Sequence, residues 1–102
     1  MPQEQDHKQK DSIIRNFFDA EGCLKSIPSQ LKKKLIILEH LVDQLDMDRV
    51  YEEKEINEFI RRYHADFATI RREFIVQGFM TRENEKYIRH PLSKARRWEE
   101  LS

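Results

Sequence analysis

Glycine is nearly missing from this chain. Gly22 and Gly78 are the only two in 102 residues. Phosphate-cradling loops such as G-x-x-x-x-G-K-[ST] are therefore excluded, because they need glycines at fixed close spacing. Cysteine occurs once, at Cys23. One thiol permits neither an internal disulfide nor a cysteine-based metal site, and it suits a reducing cytoplasm. No apolar run approaches the roughly 18 residues that a membrane span needs. Apart from Met1 and Pro2, the stretch up to Lys10 is polar, so it lacks the apolar centre of a signal peptide. The expectation is a cytoplasmic protein with no membrane contact. Net charge is missing too, since 19 basic residues offset 19 acidic ones. That excludes a uniformly basic nucleic-acid-binding surface. Any such contact has to come from local clustering.

What remains fits one small domain with one modest core. Residues 1–11 are polar and mixed in charge, and are expected to form a disordered tail. The domain itself is expected over 12–90. Ser12 is placed to cap a short helix in which Ile13, Ile14, Phe17 and Phe18 share a face. Asp19-Ala20-Glu21-Gly22 ends it in a turn. Cys23–Pro28 reads as a linker or short strand anchored by Leu24 and Ile27. Ser29 is placed to cap a helix from Gln30 to about Leu45, whose stripe is Leu31, Leu35, Leu38, Leu41, Val42 and Leu45. Ile36 and Ile37 fall off the centre of that stripe, where the first helix or a partner would cover them. Residues 91–102 form a basic tail carrying Lys94, Arg96, Arg97 and Trp98, with weak helical spacing.

The stretch from Tyr51 to Ile88 predicts the most specific architecture. Asp46–Arg49 reads as a turn, and Val50-Tyr51 as a short strand beside a later hairpin. A helix over Glu53–Tyr63 buries Ile56, Phe59, Ile60 and Tyr63, and Glu52, Glu53 and Glu55 suit the positive end of its dipole. After the turn Tyr63-His64-Ala65, Asp66 caps a second helix running to Val76. A hairpin over Phe79–Ile88 follows, turning at Glu83-Asn84-Glu85. Helix, turn, helix and hairpin in this order predict a mainly α fold with a small β-hairpin, a winged helix-turn-helix. At about 100° per residue, Phe67, Ile70, Arg71, Phe74 and Ile75 fall in one arc of the second helix. Arg71 should then be partly buried, its guanidinium held by a carboxylate. Arg72 falls on the opposite side with Thr69, Glu73 and Val76, where it could reach a phosphate or a base edge.

Ile27-Pro28, Lys32-Lys33-Lys34, Tyr51-x-Glu53-Lys54-Glu55-Ile56-Asn57, His64-x-Asp66, Ile70-Arg71-Arg72-Glu73, Gly78-Phe79 and Arg82-Glu83 together resemble a bacterial family. It is the domain-of-unknown-function family 2087, and the resemblance covers about Phe17 to Ile88. Some members are attached to helix-turn-helix transcription regulators, which implies a role in bacterial transcriptional control. The chain departs from the family pattern at Cys23, at Glu52, in the glycine-free hairpin turn and at Ile88. Asn57, Asp66 and Arg71 are taken as structural positions within these motifs.

No catalytic constellation stands out, so no enzyme and no cofactor or metal is expected. His7, His40, His64 and His90 are scattered, and His64 with Asp66 reads as a helix-cap arrangement. The leading expectation is binding of double-stranded DNA. Ala68, Thr69 and Arg72 would act on the second helix, and Arg82, Lys86 and Arg89 on the hairpin. Lys32 and Lys33, near the start of the long helix, read either as a solvated charged face or as a phosphate-contacting patch. Glu73, Glu83 and Glu85 dilute this charge, so binding should be weak and salt-sensitive unless the chain forms a homodimer. The competing expectation is a protein-interaction module that meets a partner through Ile36, Ile37 and Val76.

Overall fold

The computed structural model of the chain describes residues 2–47 and 49–101. Four helices and a three-stranded antiparallel sheet make a mixed α+β fold. In order they are α1 (Pro2–Phe17), α2 (Leu31–Val42), β1 (Val50–Glu52), α3 (Glu53–Arg61), α4 (Phe67–Val76), β2 (Met80–Glu83) and β3 (Lys86–Arg89). Two 3-10 turns follow, at Leu92–Lys94 and Trp98–Glu100. The turn expected at Asp46–Arg49 includes Asp48, which lies outside the described residues.

The core is centred on α2. Leu35, Ile36 and Leu41 are fully buried, and Ile37 and Leu38 nearly so. The helix is therefore apolar all round at its middle rather than along one stripe. It packs against α1, against α4 and against the second 3-10 turn. The expectation that Ile36 and Ile37 are free to meet a partner is thus overturned. Segments of the same chain cover both.

Both ends differ from the sequence reading. The backbone is helical from Pro2, where a disordered tail was expected up to residue 11 and a cap at Ser12. Gln, Glu and Lys are good helix formers, and Lys10 gains a counter-charge at 2.7 Å on Glu39 of α2. The C-terminal segment is not a free basic arm. Ala95 and Trp98 are buried in the core, and Leu92 and Leu101 pack against it. Gly78 makes room for this segment. Its φ is +84°, and a Cβ there would lie 3.3 Å from the Lys94 carbonyl oxygen. The Arg96 N–H donates to the Gln77 carbonyl beside it.

His40 of α2 lies edge-on to Phe18, with ring centroids 5.0 Å apart. Burial, reinforced by the Lys10 charge and only partly opposed by Asp43, lowers its pKa from the ordinary 6.5. A depressed folded-state value means that the fold favours the neutral ring. The corresponding stability is fully present above pH 6.5 and is lost as pH falls through the folded-state pKa. Urea melts from about pH 7.5 down to about pH 5.5 should show stability falling, with a shallower fall in His40→Gln. Equal slopes in the two proteins would exclude His40 as the source.

The sheet order is β1-β3-β2. Val50, Tyr51 and Glu52 pair with Ile88, Tyr87 and Lys86. On the other side of β3, Met80, Thr81, Arg82 and Glu83 pair with Arg89, Ile88, Tyr87 and Lys86. Strand alternation then sorts the side chains. Tyr51, Met80, Arg82, Tyr87 and Arg89 belong to the inner face. Val50, Glu52, Thr81, Glu83, Lys86 and Ile88 belong to the outer one. The connecting turn is Asn84-Glu85 alone, with φ of 53° and 65°, one residue shorter than expected. Both residues are left-handed, as a two-residue turn matched to strand twist requires.

Candidate nucleic-acid interface

Helix α4 is set by its ends. The Asp66 carboxylate accepts from the Thr69 N–H at 3.4 Å and from the Thr69 hydroxyl at 2.8 Å. Ile70 and Phe74 are buried under it. Phe74 meets Phe79 edge-on, with centroids 6.5 Å apart. That contact fixes the angle at which the hairpin leaves the helix. α4 and the hairpin enclose a cleft of about 290 Å³ lined by Ala68, Arg71, Arg72, Ile75, Val76, Arg82 and Tyr87.

Three guanidiniums converge here for separate reasons. Arg71 projects toward α3, where it donates to the Asn57 side-chain oxygen. Its Nε lies 3.8 Å from Glu53 Oε1. Arg72, one residue on, is exposed, and among the described residues it has no ion pair. Arg82 arrives from the inner face of β2, with its Nη2 3.7 Å from the same Glu53 oxygen. Glu53 Oε1 also accepts from the Tyr87 hydroxyl at 2.8 Å. Burial and this hydrogen bond raise the Tyr87 pKa, so the hydroxyl keeps its proton and its donor role. One carboxylate therefore faces two of the three guanidiniums, and the cleft keeps a net positive charge.

Glu73 is turned away from this cleft. Expected beside Arg72, it sits about 100° further round the helix. There it is half-buried, with Oε1 3.6 Å from Lys34 of α2 and Oε2 accepting from Gln77.

The other expected contacts go elsewhere. Thr69 is occupied in the cap of α4. Lys86 lies on the outer face of the sheet, 2.9 Å from Glu52, and this pair raises the Lys86 pKa and lowers that of Glu52. Arg89 corrects the sequence reading most sharply. It faces inward beside Tyr87 and is buried. It donates to the Leu45 carbonyl at 2.6 Å and to Asp43 at 3.3 Å, so it ties β3 to the end of α2. Lys32 and Lys33 do not reach the cleft. Lys32 lies 5.9 Å from the centroid of Trp98. Lys33 borders a separate hollow with Phe17, Ile27 and Pro28. Glu53 and Tyr87, which organise the cleft, were not singled out from the sequence as site residues. The period-2 pattern of β3 is the signal that could have found Tyr87.

These features define a small α+β domain with an arginine-lined cleft between a helix and a hairpin. The chain belongs to the family described as "Uncharacterized protein conserved in bacteria (DUF2087)", which matches residues 23–89. Every cleft residue falls within that span, whereas α1 and the C-terminal segment lie outside it. No curated protein and no solved structure matches the chain. Among the described residues, no helix is long and apolar enough to cross a membrane, and no cluster of three metal-ligating side chains occurs.

Proposed function

We infer that this domain is a winged helix-turn-helix module that binds double-stranded DNA in bacterial gene regulation and works by binding rather than by catalysis. In this reading α3 and α4 are the helix-turn-helix, α4 enters the major groove, and the β2–β3 hairpin is the wing lying along the backbone. The observation that carries it is the convergence of Arg71, Arg72 and Arg82 in one cleft, with Glu73 held away from them. Arg72 and Ala68 are exposed on α4, within reach of base edges. Arg82 is placed for a phosphate.

The protein-interaction reading keeps less support, because Ile36 and Ile37 are buried and only Val76, 64% exposed, remains of its surface. A mobility-shift assay with a labelled duplex separates the two. The expected result is retention at low salt, with log affinity falling linearly against log salt. No retention at the lowest salt sinks the DNA reading and leaves Val76 as the centre of a protein-binding face.

A further inference from the structure

The Glu53 carboxylate has no role in the DNA contact as described so far, yet both inner arginines point at it. Its Oε1 accepts the Tyr87 hydroxyl at 2.8 Å, a good hydrogen bond. Arg71 Nε and Arg82 Nη2 stand off from that same oxygen at 3.8 Å and 3.7 Å. Those are ion-pair distances beyond hydrogen-bond reach. Toward Glu53 the two cations are therefore held electrostatically, and the donors of Arg82 stay available. Their anchoring differs. Arg71 is also bonded to Asn57 and is 24% exposed at its side chain. Arg82 is 51% exposed, and among the described residues Glu53 is its only ion-pair partner.

We propose that Glu53 is an internal competitor for the incoming phosphate. It parks Arg82 in the free protein and gives it up to a backbone phosphate oxygen of bound DNA, while Arg71 stays with Asn57. This rests on the DNA-binding reading above and assigns Glu53 as the residue that sets the strength and salt response of that site. The Tyr87 hydroxyl and the partial exposure of the Glu53 side chain, 29%, favour the exchange, because they keep the carboxylate solvated after Arg82 leaves. An unsolvated carboxylate would hold the guanidinium back.

The test is fluorescence anisotropy of a labelled mixed-sequence duplex across a salt series, with wild type, Glu53→Gln, Glu58→Gln and Arg72→Ala. Gln keeps the size of Glu53 and its acceptor for Tyr87. Glu58 is an exposed acid on the same helix outside the cleft, so its variant measures the effect of one lost negative charge. The expected result is severalfold tighter binding by Glu53→Gln alone, with a salt slope steeper by up to about 0.9, one phosphate equivalent. Equal gains from Glu53→Gln and Glu58→Gln overturn the proposal, because bulk charge would then explain both. Weaker or unchanged binding by Glu53→Gln, with binding still weakened about tenfold in Arg72→Ala, overturns it and leaves the DNA reading standing. Absence of wild-type binding at the lowest salt removes both.

Discussion

Trp98→Ala should lower the unfolding free energy by about 3 kcal/mol, the low end of the range for truncating a buried aromatic. Trp98 is 3% exposed and packs at the second 3-10 turn against α2. The low end applies because its indole N–H is buried without a partner among the described residues. That unmet donor costs the folded state something which the substitution relieves. Even so, the loss is a large share of the roughly 5–15 kcal/mol available to a domain of this size. Urea unfolding followed by circular dichroism measures it. Arg96→Ala is the comparison, since Arg96 is exposed and its contact to Gln77 is made by the backbone. A Trp98→Ala loss below about 1 kcal/mol, no more than an ordinary surface substitution, would show that the C-terminal segment is not part of the core.

Replacing Arg72 and Arg82 together by Ala should weaken duplex binding about a hundredfold at low salt, on the scale of about tenfold for each arginine contact. The salt response says what each arginine touches. Loss of two phosphate contacts flattens the slope by about 1.8, whereas loss of one phosphate and one base contact flattens it by about 0.9. In the second case Arg72→Ala alone should also blunt discrimination between sequences. Lys86→Ala should change little, because Lys86 sits on the outer face of the sheet and is paired with Glu52. A double variant that binds like wild type would remove α4 and the hairpin as the contact surface.

How far the sequence could be read depended on how local each signal was. The order of α3, α4 and the hairpin follows from short-range features: the acids at the start of α3, the Asp66 cap, and the strand pattern on either side of a polar turn. Periodicity likewise separates Arg71 from Arg72, and the structure holds the first against α3 and leaves the second exposed. Three things needed non-local information. Ile36 and Ile37 lie off the centre of the α2 stripe, which leaves open what covers them; α2 packs against α1, α4 and the second 3-10 turn. Arg82, Lys86 and Arg89 read as one cationic group, but the register places Arg82 and Arg89 on one face and Lys86 on the other. Pairing Met80 with Arg89 then carries Arg89 into the interior beside Leu45. Finally, the role of Glu53 depends on Tyr87, 34 residues away, reaching it through the sheet.

That separation also sets the order in which the molecule can assemble. The β2–β3 hairpin closes over two residues and can form early, on a microsecond timescale. β1 must wait, because joining it to β3 closes a loop that contains both α3 and α4. Glu53 follows β1 directly in sequence and Tyr87 lies at the middle of β3. The Glu53–Tyr87 hydrogen bond is therefore completed only at this late, long-range step. When the native state opens locally, detachment of the three-residue β1 should break that hydrogen bond while α4 and the hairpin, which line the cleft, stay folded. Hydrogen-exchange protection at β1 would then track the fraction of molecules in which Glu53 is held by Tyr87.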